Sequence, residues 1–168
     1  MAQAGILRED DRVELLEGEI LEMAPIGSEH AACVARLTAL FAQVHAKAIV
    51  WVQNPIRLSE RSEPQPDLAL LRPRPDFYAQ THPGSADVLL VVEVAETSVE
   101  VDRDVKVPLY AGAGILEVWL VDIAGECIEI FQKPTPQGYQ EVRRTRRGDR
   151  LAPQTFPHLQ LASDDILG

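Results

Sequence analysis

The chain has 168 residues, which is enough for one domain over residues 1–168 that buries about two-thirds of the surface of its unfolded chain. Hydrophobic residues make up 46% of the chain and charged residues 25%, the proportions of an ordinary globular protein. The net charge of −10 argues against non-specific binding to nucleic acid, whose affinity comes largely from Lys and Arg side chains on phosphates.

Positive charge is nevertheless concentrated in one place, and a catalytic metal would bring more of its own. The local sequence favours a solvated edge strand and turn for this cluster. It comprises Arg143, Arg144, Arg146 and Arg147.

The cysteines and the N-terminus indicate the compartment. Cys33 and Cys127 have neither the number nor the spacing of a disulfide scaffold or a zinc site. The N-terminus has no basic-then-apolar signal, and no apolar run is long enough to cross a membrane. We therefore expect a cytoplasmic protein.

Apolar periodicity predicts the elements of the N-terminal half. Residues 12–23 alternate around Glu17-Gly18, which is typical of a β-hairpin. Apolar positions recur at helical spacing from Glu29 to Lys47, with Ser28 as the predicted N-cap. Strands are predicted at 49–52, 67–71 and 87–95.

The C-terminal half alternates between helix and strand. A helix is predicted from Thr97 or Ser98 to about Ala113, and Pro108 is expected to kink or divide it because proline lacks a backbone N–H. The tail from Gly148 is expected to be irregular. The other predicted strands are 117–123, 127–131 and 139–145, the last at a sheet edge. This order predicts an α+β (mixed α/β) fold with helices packed on a mixed sheet.

Two of the predicted strands are each interrupted by one carboxylate. Asp67 opens its strand and Glu93 lies near the end of another. Burial of a charged group is costly unless something pairs with it, and two converging carboxylates suit a hard cation such as Mg²⁺ or Mn²⁺. The structural alternatives are a turn residue after Pro66 for Asp67, and an acid paired with an arginine for Glu93.

The following helix supplies a candidate cation. Asp102, Lys106 and Tyr110 are spaced at i, i+4 and i+8 and so share a helix face. A lysine beside a metal can stabilise a phosphoryl transition state or orient water, whereas an isolated helical lysine is usually exposed. His30 and Gln53 are further candidates for the same cleft. Their alternatives are a surface or capping residue for His30 and a structural residue for Gln53.

The order of Asp67, Glu93 and Lys106 resembles a variant of the PD-(D/E)XK nuclease superfamily in which the lysine lies on the following helix. The usual lysine position, two residues after the glutamate, holds Ala95. Nearly the whole chain resembles the Uma family of restriction-endonuclease-like proteins. The matching segments are Val13-Glu14-Leu15-Leu16-Glu17-Gly18-Glu19-Ile20, His30, Gln53-Asn54-Pro55, Pro64-Gln65-Pro66-Asp67-Leu68-Ala69, Val91-Val92-Glu93-Val94, Asp102 with Lys106, Tyr110-Ala111 and Glu117-Val118-Trp119-Leu120-Val121-Asp122.

The resemblance implies a restriction-endonuclease-like core and metal-dependent cleavage of DNA. Mg²⁺ or Mn²⁺ would be held by Asp67, Glu93 and the carbonyl of Val94, with Lys106 assisting the attacking water or the transition state. The secondary site residues would be His30, Gln53, Asp102 and Tyr110.

The resemblance also bears on assembly and on the N-terminus. It implies a homodimer, since cutting both strands of a duplex needs two sites. Family members carry a longer segment before the hairpin than Met1 to Asp11, so either an N-terminal helix is shortened or the start is displaced.

Two other functions stay open. One is a catalytically silent module for self-association or partner binding, which the acidic surface favours, and the other is hydrolysis of a small phosphorylated or nucleotide substrate.

Overall fold

The structure, a computed structural model, describes residue 8 and residues 10–168. Most of the segment before the hairpin lies outside these residues. The strands are β1 (Val13–Leu16), β2 (Glu19–Glu22), β3 (Ile49–Val52), β4 (Leu68–Leu71), β5 (Val88–Ala95), β6 (Glu117–Asp122), β7 (Cys127–Thr135), β8 (Gly138–Arg146), β9 (Arg150–Leu151) and β10 (Leu161–Ala162). The α-helices are α1 (Ser28–Phe41), α2 (Val99–Val101), α3 (Val107–Gly112) and α4 (Ser163–Leu167).

Strands β1 and β2 form the predicted hairpin as a separate two-stranded antiparallel sheet. Its turn residues Glu17 and Gly18 both have positive φ angles, of 51° and 90°. Positive φ at both central residues is the geometry of a tight two-residue hairpin turn, in which glycine is favoured.

Six strands form the central sheet, in the order β3-β4-β5-β6-β7-β8. All neighbours are antiparallel except β5 and β6, which are parallel, so the sheet is mixed as predicted. Strand β8 lies at one edge of the sheet, as the sequence predicted. Every residue of β5 is buried, because helices cover the sheet on both faces.

Alternate residues of β5 point into two different layers of core. Val92 packs in the cluster that contains Leu37 and Phe41 of α1. Val91 packs in the cluster that contains Tyr110 of α3. Because side chains alternate along a strand, Glu93 lies on the same face as Val91 and points toward α3.

The predicted second helix is interrupted. Helix α2 is followed by a π-helical turn from Asp102 to Lys106 and then by α3. Pro108 is the second residue of α3, and its missing N–H removes a regular hydrogen bond to the preceding turn. A π turn stands directly before the helix that contains the proline, so the predicted helix is divided here.

The ends of α1 differ from the prediction. Its N-cap is Gly27, and Ser28 is the first helical residue, without a side-chain capping bond. The α-helix ends at Phe41 and continues only as a 3₁₀ turn from Ala42 to Val44. The predicted helical end at Lys47 was therefore too late.

The expectation of an irregular tail was only partly correct, because residues 152–160 have no helix or strand but short elements flank them. Strands β9 and β10 pair antiparallel, and α4 follows them directly. Arg36 of α1 donates to the carbonyls of Ile166 and Leu167, at 3.0 and 2.9 Å. The apolar residues of this segment lie between prolines and turns, so they show no regular period, yet Leu151 and Leu161 complete the core.

The helices of the described chain are too short or too polar to cross a membrane.

Candidate active site

The predicted acids and lysine meet in a cleft between the hairpin and the second helical segment. The cleft has a volume of about 270 Å³. The polar side chains on its walls include those of Glu14, His30, Asp67, Glu93, Asp102 and Lys106, and Val94 lies among them. A larger groove of about 1000 Å³ lies across the hairpin and the outer surface of α3, but its lining contains none of the predicted site residues.

Two hydrogen bonds orient the carboxylate of Asp67 at the start of β4. It directly precedes β4, whose first residue pairs with Val92 of β5. The N–H of Val94 donates to Oδ2 of Asp67 at 2.8 Å. Nε2 of His30, in the first turn of α1, lies 2.9 Å from Oδ1. Both carboxylate oxygens are thus oriented by neighbouring elements.

Glu93 and Lys106 form a buried pair on the α3 side of the sheet. Nζ of Lys106 lies 2.7 Å from Oε1 of Glu93. The hydroxyl of Tyr110 donates to the same oxygen at 2.6 Å. Asp102 and Lys106 both line the cleft, whereas Tyr110 is connected to it through its hydrogen bond to Glu93.

The cleft holds more negative than positive charge. Burial raises the pKa of Glu93 well above its usual value, and the ammonium of Lys106 only partly opposes this shift. Burial acts to lower the pKa of Lys106, but the carboxylates of Glu93, Glu14 and Asp102 outweigh it and raise that pKa. Lys106 is therefore a charged ammonium surrounded by acids.

Two further groups have shifted pKa values for the same reasons. Burial raises the pKa of Asp102 to about 6, against the opposing effects of Lys106 and a hydrogen bond from Ser98. The hydrogen bond to Asp67 raises the pKa of His30 above 6.5, although burial opposes it. Nδ1 of His30 is buried and has no hydrogen-bond partner among the described residues.

Glu14 is a site residue that the sequence reasoning missed. Its Oε1 accepts hydrogen bonds from Nζ of Lys106 at 2.8 Å and from the N–H of Gln65 at 2.9 Å. In β1 the buried positions are Glu14 and Leu16, while Val13 and Leu15 are only half-buried. Since either face of this strand could be the inner one, alternation alone did not single out the glutamate.

Gln53 is not among the residues that line this cleft. It borders an apolar groove along α1 together with Ala35 and Thr38. Its connection to the site runs through the backbone, since its N–H donates to the carbonyl of Asp67 at 3.1 Å.

Two of the four arginines in the cluster at the end of β8 contact acids. Arg147 donates to Glu126 at 2.8 Å and to Asp164 at 3.2 Å. Arg144 lies 3.6 Å from Glu129. These contacts offset part of the positive charge along the edge strand.

The donor set of the cleft fits a hard divalent cation. Among the described residues, no group of three or more His, Cys, Asp and Glu side chains is spaced to hold a metal ion. Mg²⁺, however, is commonly bound through one or two carboxylates and keeps several waters. Asp67 and Glu93 place two carboxylates on the walls of this cleft, and the surplus of buried acids there favours a cation electrostatically.

Comparison with known proteins supports a nuclease relationship. The sequence model of the Uma2 family, described as "Putative restriction endonuclease", matches residues 2–164. The crystal structure of "a putative nuclease belonging to DUF820" from Anabaena variabilis ATCC 29413 superposes with a TM-score of 0.74 at 15% sequence identity. The match covers 98% of this chain and 94% of that one, and at this identity it shows a shared fold. No curated protein matches the chain.

Proposed function

Because the chain belongs to the Uma2 family of restriction-endonuclease-like proteins, we propose that it is a metal-dependent endonuclease that hydrolyses phosphodiester bonds in DNA. The observation that carries the proposal is the meeting of Asp67, Glu93 and Lys106 in one cleft. These residues come from three separate segments of the chain, and all three are buried ionisable side chains.

Mg²⁺ or Mn²⁺ would be held by Asp67, Glu93 and the backbone carbonyl of Val94. When bound, such an ion lowers the pKa of water and offsets charge on a phosphoryl group. Support for this assignment comes from the N–H of Val94, which already fixes one oxygen of Asp67 at 2.8 Å. Oxygen donors of this kind match the preference of both ions.

Lys106 would act on the scissile phosphate. Its ammonium group is charged and preorganised by two carboxylates, so it can stabilise negative charge that develops on the phosphoryl oxygens. It can also hold the attacking water by donating a hydrogen bond. Its charge is needed because the cleft around it is otherwise acidic.

The other predicted site residues would support these groups. His30 orients Asp67 through its 2.9 Å contact, and Tyr110 orients Glu93 through its hydroxyl. Asp102 lies on the cleft wall and adds to the negative charge that opposes deprotonation of Lys106. Gln53 would act only through its backbone bond to Asp67.

We propose DNA as the substrate and a homodimer as the assembly, and membership of a family described as restriction endonucleases supports the choice of DNA. A duplex is cut on both strands when two sites act together, and closed two-fold symmetry is the usual way to bring two copies together. The acidic surface, with its net charge of −10, implies that duplex binding depends strongly on the cation.

Cleavage assays test the proposal. Purified protein is incubated with supercoiled DNA, linear DNA, single-stranded DNA, RNA and a small phosphodiester, each with Mg²⁺, Mn²⁺ or a chelator. Asp67→Asn, which keeps the shape of the side chain, is expected to lower cleavage at least about 100-fold, as the loss of a key electrostatic group does. The control is Asp165→Asn, an exposed acid of α4.

The outcomes separate the functions that the sequence left open. Cation-dependent cutting by the wild type and the Asp165→Asn control, but not by Asp67→Asn, is the expected result. Cutting of a small phosphodiester but of no nucleic acid would favour the small-substrate function. If no substrate is hydrolysed, the remaining candidate function is that of a catalytically silent binding module.

A further inference from the structure

We propose that Glu14 is a positioning residue that holds the ammonium group of Lys106 at the cleft, an inference that rests on the proposed nuclease function. Glu14 and Lys106 are separated by 92 positions in the sequence, and their side chains meet at 2.8 Å. The hairpin would then be part of the catalytic apparatus, since it supplies the second carboxylate that contacts the lysine.

Lys106 needs an anchor other than Glu93. A lysine has a flexible four-carbon stem and a compact charge, so its position is set by its partners. Glu93 is also the proposed ligand of a cation, and a carboxylate shared with a divalent ion attracts an ammonium less strongly. Glu14 contacts Lys106 from the hairpin and does not depend on that ion.

Glu14 is itself held in place by the chain that leads to Asp67. The N–H of Gln65 donates to its Oε1 at 2.9 Å. The side chain of Gln65 donates to the carbonyl of Val13 at 3.2 Å. Glu14 thus joins β1, the segment before β4 and the π turn through a single carboxylate oxygen.

The hairpin that carries Glu14 is docked by its own backbone bonds. The N–H of Gly18 donates to the carbonyl of Arg61 at 2.7 Å, and the N–H of Glu63 donates to the carbonyl of Leu15 at 2.7 Å. These bonds fix β1 against the loop that precedes β4. They therefore also fix the position of the strand that carries Glu14.

The kinetic test compares Glu14→Gln with a matched control on the same hairpin. Glu14→Gln keeps the size of the side chain but removes the charge, and it is expected to lower kcat about 100-fold, the effect of a displacement of about 1 Å at a reacting group. KM is expected to stay unchanged, because Glu14 acts through Lys106. Glu14→Asp keeps the charge and is expected to recover part of kcat. The control is Glu19→Gln, an exposed glutamate of β2.

Nuclear magnetic resonance provides a readout independent of cleavage. The chain has three lysines, Lys47, Lys106 and Lys133, so the ¹H–¹⁵N signal of a buried ammonium group is readily assigned. The wild type and Glu19→Gln are expected to show a protected Lys106 ammonium signal. Glu14→Gln is expected to lose it, and Glu14→Asp to retain it weakly.

The two readouts distinguish failure of this inference from failure of the proposed function. An unchanged Lys106 signal in a folded Glu14→Gln protein would overturn the inference, as would cleavage at the wild-type kcat. A wild-type protein that cuts no nucleic acid would contradict the proposed nuclease function. The position of Lys106 would then have no role in catalysis. If Glu14→Gln does not fold, Glu14→Asp decides, and wild-type kcat together with loss of the ammonium signal would also count against the inference.

Discussion

Nζ of Lys106 lies 2.7 Å from Oε1 of Glu93, and both side chains are almost fully buried. Each member of this pair keeps the other from being an isolated charge in the core. Removal of one member therefore affects stability as well as chemistry, and the two effects must be measured separately.

Lys106→Met is expected to destabilise the protein by about 3–5 kcal/mol, because it leaves buried carboxylates without a compensating charge. Chemical denaturation measures this loss. Lys133→Met is the control, since Lys133 and its partner Glu141 are mostly exposed, and such surface pairs contribute at most about 1 kcal/mol. Equal losses for the two variants would mean that the buried network does not stabilise the fold.

Mg²⁺ or Mn²⁺ is expected to raise the melting temperature of the wild type. Close carboxylates repel one another without a cation, and an ion that binds the native state stabilises it by about 2.7 kcal/mol at a concentration 100 times its Kd. Glu93→Gln is expected to blunt this response, because it removes a charged ligand while keeping the shape. Differential scanning calorimetry measures the shift.

The matched control for the metal response is Glu117→Gln. Glu117 is likewise a fully buried strand glutamate, but it contacts Trp119 and the N–H of Gln154 outside the cleft. This variant is expected to keep the metal-dependent shift even if its baseline stability changes. Identical melting curves with and without metal in the wild type would contradict the metal site.

Asp102 is expected to give the protein a measurable pH dependence. Its pKa is raised by burial from 3.8 to about 6, so its favourable contribution is complete below pH 3.8 and is lost as the pH rises through about 6. Asp102→Asn removes this loss and is expected to gain stability relative to the wild type across that range, by about 3 kcal/mol.

Denaturation at a series of pH values tests the role of Asp102. The exposed Asp104, two residues along the same turn, provides the control variant Asp104→Asn. That control is expected to follow the wild-type curve. A constant difference between Asp102→Asn and the wild type at every pH would show that the carboxyl does not titrate in this range.

A homodimer is expected in solution at micromolar concentration. Analytical ultracentrifugation, with and without Mg²⁺, measures the mass directly. Sedimentation as a monomer under both conditions would contradict the proposed two-site cleavage of a duplex. A protein that cuts only single strands would be consistent with that result.

Local patterns were sufficient to predict most of the fold. The turn at Glu17 and Gly18, the buried run of β5 and the amphipathic α1 each depend on a few neighbouring residues. The presence of Asp67 and Glu93 on the walls of one cleft was also predicted, because each acid interrupts an apolar strand where burial demands a partner.

The parts that escaped prediction depend on contacts between distant segments. Glu14 gains its importance from Lys106, 92 positions away, and nothing in its own neighbourhood distinguishes it from the other hairpin glutamates. The C-terminal segment is ordered by Arg36 of α1, which binds two of its carbonyls. Such partners become apparent only when the chain is folded.

The π turn has a consequence for sequence alignment. In a regular α-helix each residue is rotated by about 100° around the axis, so Tyr110, eight positions after Asp102, would be rotated by about 80° from it. A residue seven positions after Asp102 would lie almost in line with Asp102. The wider turn from Asp102 to Lys106 absorbs one extra residue. A homologue with a regular helix would present the counterparts of Asp102 and Tyr110 at i and i+7, so the two sequences would align with a one-residue gap inside this segment.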